Sequence, residues 1–235
     1  MNAVVIATYN ERENLVVLLP ALFAAVPGAR VFIVDDNSPD GTAKVPAELG
    51  LADAQAIVRT RQRGYGTAVR DGLLAAVEAG AERVVTMDAD LSHDPADVPR
   101  MFAALENADL AIGSRYAGGV RVLNWGVRRL LLSLFANYYV RSILGFSSYD
   151  NTSGFRAFRG TLLRRMPLRR LKSNGYSFIV EVLELARRAR AKVVEVPIIY
   201  SERREGQSKM SNAVIAESVA MPWRLRLSRL AARRR

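Results

Sequence analysis

"VVTMDADLSHDP" (84–95) runs from an apolar, β-branched stretch directly into Asp88, Asp90 and Asp94. The apolar half reads as a buried strand, and the acidic half as the loop at its carboxyl end. Close carboxylates repel one another and lose hydration on burial, so such a group needs a cation, a turn or a catalytic task to offset the cost. Asp88 and Asp90 are one residue apart, so in an extended segment their side chains point the same way. Two carboxylates on one side suit a hard divalent cation such as Mg²⁺ or Mn²⁺, which takes oxygen ligands and leaves positions for substrate phosphates. Asp94, directly before Pro95, has the plainer task of capping the next helix. His93 is the only histidine, and a lone histidine in a turn is more often neither ligand nor base.

Outward from this strand, short apolar runs recur at 3–8, 30–36, 54–60 and 108–115, separated by segments of helical periodicity at 11–26, 40–49, 66–79 and 96–106. Alternation of near-continuous apolar strands with helices predicts an α/β fold, a Rossmann-like, mostly parallel sheet with helices on both faces. Ligands in such sheets sit at the carboxyl ends of the strands. Here those ends carry "ATYNERENL", "VDDNSPDGT", "RTRQRGYGTA", "MDADLSHDP" and "GSRY". "NSPDGT" by itself reads as a tight turn, but five polar loops on one edge predict a crevice.

The 235 residues carry a formal charge of +11 with no cysteine. A chain without cysteine has no disulfide framework and no thiolate metal site, and fits a reducing compartment. No signal peptide is evident at the start, so a cytoplasmic protein is expected. The excess of arginine calls for a polyanionic surface. Arginines crowd at 121–141 beside Trp125, Leu130, Leu131, Leu132, Phe135, Tyr138 and Tyr139, and again in the tail "WRLRLSRLAARRR". Interleaved in this way they predict amphipathic helices lying in a membrane interface, although a solvated charge run beside a core helix shares the pattern. The apolar run 130–140 is far short of the roughly 20 residues that span a bilayer. The expected organisation is one catalytic domain over 1–211, with an interfacial and acceptor element at about 117–146, and a basic helical tail over 212–235.

Seven stretches in order, "TYNERENL" (8–15), "VDDNSPDGT" (34–42), "DADLSHDP" (88–95), "GSRY" (113–116), "TSGFRAF" (152–158), "GYSFIVE" (175–181) and "EVPIIYSERREGQSKMS" (195–211), resemble glycosyltransferase family 2. Within it they resemble the polyprenol-phosphate (dolichol-phosphate) mannose synthase subgroup. The resemblance implies a glycosyltransferase A-type fold, a GDP-mannose donor, a Mg²⁺ or Mn²⁺ cofactor and a polyprenyl or dolichyl phosphate acceptor. It implies that Ala7, Tyr9, Glu11, Asp36 and Asp88 hold the donor, with Arg203 and Lys209 neutralising its diphosphate. Asp88, Asp90 and Ser92 would hold the metal, with Asp90 the main ligand. Arg115 would orient the acceptor phosphate, with Arg129 and Ser133 beside it; Asp90 and Arg115 carry the catalytic assignment. Ala7 stands where the family usually has proline, and Ser92 where some members have glutamine.

The implied reaction is inverting displacement at the anomeric carbon by a phosphate already largely ionised at neutral pH. Arg156 and Glu181 are expected to organise the floor of the site. A lipid acceptor places the protein on an anionic membrane surface, peripheral on the inner face, with a separate membrane-anchoring subunit as a further expected partner. Glucosyl or other hexosyl transfer is the alternative within this chemistry. A non-catalytic membrane- or nucleic-acid-binding module is the alternative outside it. Nucleic acid is not the expected partner, because that reading leaves the five polar strand ends without a role.

Overall fold

The computed structural model of the protein describes residues 1–171, 173, 175–201 and 212–232. In chain order the elements are β1 (Asn2–Thr8), α1 (Arg12–Ala25), β2 (Arg30–Asp35), α2 (Val45–Glu48), β3 (Ala54–Val58), α3 (Tyr65–Glu78) and β4 (Arg83–Asp88). There follow α4 (Val98–Ala104), β5 (Leu110–Ser114), β6 (Val122–Leu123), α5 (Val127–Leu144), β7 (Arg156–Arg159), α6 (Gly160–Arg165), α7 (Gly175–Arg188), β8 (Val193–Pro197), β9 (Tyr200–Ser201) and α8 (Asn212–Ala232).

Seven strands form one sheet in the order β3-β2-β1-β4-β7-β5-β8, and β6 pairs with β9 outside it. β1 lies inside the sheet with Ile6 between Ile33 of β2 and Met87 of β4, both neighbours parallel. β7 is the exception, antiparallel to β4 and to β5, with Ala157 opposite Val85 on one side and Ala111 on the other. The mostly parallel sheet with helices on both faces is the architecture expected.

Alternate strand residues feed two cores. Val4, Ile6, Val31, Ile33 and Val85 pack under α1 and α4, while Val5, Phe32, Val34 and Val84 pack under α3, α6 and α7. α1 buries Leu15, Leu18, Leu19 and Leu22, the i, i+3, i+4, i+7 spacing of one helix face. α3 sits unusually close to the sheet because Gly72 has no side chain, and a Cβ there would lie 2.3 Å from Val5 Cγ1.

Three segments differ from the sequence reading. Residues 40–49 form a 3₁₀ turn at Thr42–Lys44 and the single turn α2, because the left-handed Gly41 and Pro46 confine helical backbone to the few residues between Gly41 and Gly50. The apolar run "KVVEVPIIYSER" (192–203), strand-like throughout as sequence, breaks after Pro197 into β8 and β9, which belong to different sheets, with 202 and 203 outside the described residues. β7 was not anticipated as a strand at all.

α8 packs along α5 and α7. Arg226 donates to the carbonyl of Ile143 at 2.6 Å and Arg229 to that of Leu144 at 2.9 Å, so two cations cap the carboxyl end of α5, where the helix dipole favours them. Arg229, Arg188 and Arg187 converge on Glu184 at 2.6, 2.9 and 2.9 Å. Burial alone would raise the carboxyl pKa, but the three guanidinium groups outweigh it and hold Glu184 down at about 2. A carboxylate whose folded pKa is depressed adds stability fully above its unfolded value, about 4.3, and loses it as pH falls towards 2. Acid melts should therefore show a steeper loss of thermal stability between about pH 5 and 2 in the parent than in Glu184→Gln.

Among the described residues no helix is long and apolar enough to cross a membrane. α5 nonetheless exposes Val127, Leu131, Phe135 and Tyr138, each 60–72% accessible. Their spacing places them along one side of the helix.

Candidate active site

At the carboxyl ends of β1, β2 and β4 lies a cleft of about 390 Å³. Ala7, Tyr9, Glu11, Asp36, Asp88, Asp90 and Arg115 all line it, so residues up to 108 positions apart meet there. Sequence reasoning did not single out Arg63, Gly64, Tyr65, His93, Thr152, Gly154 or Tyr200 as cleft wall. The signal for several was present, since "RQRGYGT" and "TSG" are polar, glycine-bearing loops at the same edge.

The β2 loop is built around two aspartates with different tasks. Asp35 accepts from the Thr8 hydroxyl at 2.9 Å and from the Ser38 amide and hydroxyl at 2.8 and 2.6 Å, which fixes the turn. Asp36 accepts from Arg59 Nε and Nη2 at 2.7 and 2.5 Å through one oxygen and from the Gly64 amide at 2.7 Å through the other. Arg59 continues to Thr67 and Asp71 at 2.9 and 3.0 Å. Both Asp36 oxygens are thus engaged within the protein, and the carboxylate anchors the loop that delivers Tyr65 at the start of α3. Tyr9 carries the Arg63 guanidinium 4.9 Å from its ring centroid and accepts from it through the hydroxyl at 3.2 Å.

β4 delivers the acidic pair. Leu91 takes a left-handed conformation (φ 60°), which turns the chain sharply and brings Ser92 under Asp90. The Ser92 amide and hydroxyl donate to Asp90 Oδ1 at 3.1 and 2.5 Å. Ser92 is itself buried and lies outside the cleft wall, so it orients Asp90 from behind. Asp88 Oδ1 is buried and has no hydrogen-bond partner among the described residues. Asp94 accepts from the Ala96 amide at 2.9 Å with Pro95 at the first helical position, the capping arrangement its sequence context predicted.

His93 is buried and stacks on Phe155 at 4.9 Å. Its Nδ1 accepts from the Asp88 amide at 3.1 Å, so the proton of the neutral ring sits on Nε2. Burial lowers its pKa, opposed by Asp88 and Asp90. The ring therefore packs behind the acidic pair as a neutral group.

Arg115, from the end of β5, is held by Asp150 at 2.7 Å through both Nε and Nη2, and Nη2 also donates to Thr152 at 2.7 Å. Burial disfavours its charge, but Asp150 overcompensates and its pKa is raised. Asp150, fully buried, is likewise held ionised by Arg115 against the cost of burial. Around Arg115 stand Tyr116, Trp125 and Tyr200, with ring centroids 5.4, 5.6 and 5.5 Å from Cζ. Arg129 lies 4.2 Å over Trp125, and Ser133 accepts from the Tyr116 hydroxyl at 2.6 Å. Neither Arg129 nor Ser133 lines the cleft itself. They sit on α5 against Trp125 and Tyr116, which do not line the cleft either.

Arg156, expected at the floor of the site, does not line the cleft itself; its three donor groups reach the carbonyls of Ser153, Ile179 and Asn151 at 3.0, 2.6 and 3.0 Å. With no carboxylate bound to it, burial pulls its pKa down to about 10. It ties the 151–154 loop to α7. Glu181 presents one buried oxygen with no hydrogen-bond partner among the described residues. Gly154 leaves room for Tyr65, since a Cβ there would lie 2.5 Å from its hydroxyl and displace the ring. Arg203 and Lys209 fall outside the described residues.

The residues present fit a divalent cation. Asp88 offers a buried oxygen with no hydrogen bond, and Asp90 faces the same cleft with its carboxylate already oriented. Among the described residues no cluster of three or more metal-type side chains occurs. A cation here would rest on the two carboxylates and on oxygens brought by a substrate, the coordination that suits Mg²⁺ or Mn²⁺.

A parallel sheet interrupted by one antiparallel strand, with an acidic pair and a cleft at its carboxyl edge, defines a glycosyltransferase A-type fold. The glycosyl transferase family 2 model matches residues 3–171, and the chain belongs to that family. It is 43% identical over 220 residues to a polyprenol monophosphomannose synthase of Mycolicibacterium smegmatis, covering 92% of this chain and 83% of that one. It is 40% identical over 217 residues to an undecaprenyl-phosphate mannosyltransferase of Micrococcus luteus, covering 92% and 89%. Among solved structures, glucosyl-3-phosphoglycerate synthase from Mycobacterium tuberculosis, in complex with Mn²⁺, uridine diphosphate and phosphoglyceric acid, superposes with a TM-score of 0.73 at 19% identity. That match covers 96% of this chain and 78% of the other, and bears on the fold.

Proposed function

We propose that the protein transfers mannose, with inversion, from GDP-mannose to a polyprenyl monophosphate at the cytoplasmic face of the membrane. The observation that carries this reading is the juxtaposition in one cleft of an acidic pair suited to a cation and a buried, carboxylate-held arginine. The names of the relatives at 40–43% identity favour the same donor sugar and acceptor class. Residues 1–211 act as the catalytic unit and α8 as a brace on it.

Tyr9, Glu11 and Ala7 flank the donor, while Asp36 holds the Gly64 turn against it. Asp88 and Asp90 would hold the Mg²⁺ or Mn²⁺, which when bound neutralises charge on the donor diphosphate. Arg203 and Lys209 complete that neutralisation in this reading. Arg115, fixed by Asp150, orients the incoming phosphate, with Arg129 and Ser133 on its far side. An acceptor phosphate oxygen attacks the anomeric carbon as the bond to the GDP oxygen breaks, and GDP departs with the electron pair. The acceptor's second pKa is about 6, so no general base is required, and the neutral His93 is left as packing. The cleft wall supplies positioning and charge compensation, the two terms that dominate such displacements.

The exposed apolar side of α5, flanked by Arg128 and Arg141, would lie in the headgroup region and bring a membrane-borne acceptor to Arg115. A separate membrane-anchoring subunit would strengthen this contact. The test supplies purified protein with Mg²⁺ or Mn²⁺, labelled GDP-mannose, UDP-glucose or GDP-glucose, and a short polyprenyl phosphate. Label entering the organic phase from GDP-mannose supports the reading. Label from a glucosyl donor alone replaces the sugar, and no transfer from any donor overturns the function.

A further inference from the structure

Trp125 lies in the loop just ahead of α5, and its indole Nε1 is buried with no hydrogen-bond partner among the described residues. A buried donor that has given up water without gaining an acceptor is costly, and native proteins seldom tolerate one without a use for it. The groups around it decide which acceptor fits. Arg129 lies 4.2 Å over the indole and Arg115 lies 5.6 Å from it. Tyr200, a wall of the cleft, meets the ring edge-on at 5.4 Å. Asp150 satisfies Arg115 only through Nε and Nη2, so Nη1 makes no hydrogen bond of its own among the described residues. An unsatisfied neutral donor on a ring that two guanidinium groups approach calls for an anion with several acceptor oxygens. A phosphate monoester has three, and carries close to two charges at neutral pH.

We infer that the Trp125 Nε1–H donates to the phosphate of the polyprenyl acceptor, as an acceptor-binding residue beside Arg115. The inference rests on the proposed transfer to a polyprenyl phosphate and assigns that substrate's headgroup a specific neutral donor.

The full chain has two tryptophans, so ¹⁵N-labelled protein gives two indole N–H resonances, and the one that Trp125→Phe removes is that of Trp125. If that variant does not fold, Trp223→Phe makes the same assignment. Titration with a short prenyl monophosphate should move the Trp125 indole proton downfield, while the matching prenyl alcohol leaves it in place. Trp125→Phe keeps an aromatic face for the arginines. It should raise KM for the prenyl phosphate by roughly 10- to 100-fold, the effect of one hydrogen bond to a charged group, with KM for the sugar donor within about twofold. An indole proton that stays put at prenyl phosphate concentrations that saturate transfer overturns this inference and leaves the transfer reading intact. No transfer to any prenyl phosphate by the parent protein overturns both.

Discussion

An Asp90→Asn variant is expected to fold as the parent does and to lose transfer by about 10²- to 10³-fold, the scale on which removal of one preorganised charge-stabilising group acts. The fold survives because asparagine keeps an acceptor oxygen for the Ser92 amide and hydroxyl, 3.1 and 2.5 Å away. What disappears is one negative charge beside Asp88, whose Oδ1 is already without a hydrogen bond among the described residues. Relief of carboxylate crowding should leave the thermal midpoint unchanged or slightly raised. Initial rates at saturating Mg²⁺ or Mn²⁺, set beside thermal melts of the same preparations, check both halves. Transfer within about threefold of the parent would remove Asp90 from the cation site, since a ligand in contact with the donor's counter-charge cannot be so cheaply neutralised.

The second large effect concerns stability. Arg115 and Asp150 have side chains only 8% and 0% accessible, so replacing the arginine by methionine leaves a buried carboxylate with no cation. Breaking such a pair from one side costs about 3–5 kcal/mol, equivalent to a fall of roughly 6–20 °C in the midpoint for a chain of this size. Asp150 retains the backbone amide of position 115 at 3.0 Å and that of Thr152 at 3.3 Å, and neither replaces the lost positive charge. Adding Asp150→Asn to Arg115→Met removes the stranded charge and should recover much of the loss, although neither variant would be active. Chemical denaturation of the two single variants and the double closes the cycle. A double variant that loses the full sum of the single effects would show that the pair is not energetically coupled.

The sheet was largely legible in the sequence because its strands β1, β2, β4 and β5 are unbroken apolar runs, and burial on both faces demands that composition. β7 was not, since "RAFR" is four residues with arginine at each end and takes its identity from partners 70 or more positions upstream in β4. Periodicity reports a segment's own faces and says nothing about such a pairing. The same limit applies to the site. The acidic pair and the polar loops of the cleft are local signals, and they coincide with its wall. Asp150 as the holder of Arg115, and Arg59 as the holder of Asp36, are contacts across 35 and 23 positions that no spacing encodes. Asp36 shows the consequence. Its place on the polar edge that forms the cleft could be read from "VDDNSPDGT", but its attachment to Arg59 and Gly64 could not.

The strand that runs against its neighbours sets a schedule for synthesis. A ribosome releases β4 and β5 well before residues 156–159 emerge, and until then the facing edges of both strands have no partner to bond. Such edges are templates for association with other chains. A nascent polypeptide of this protein therefore spends the interval between about residue 114 and residue 159 with those two edges uncovered, and the arginine-flanked β7 is what closes both.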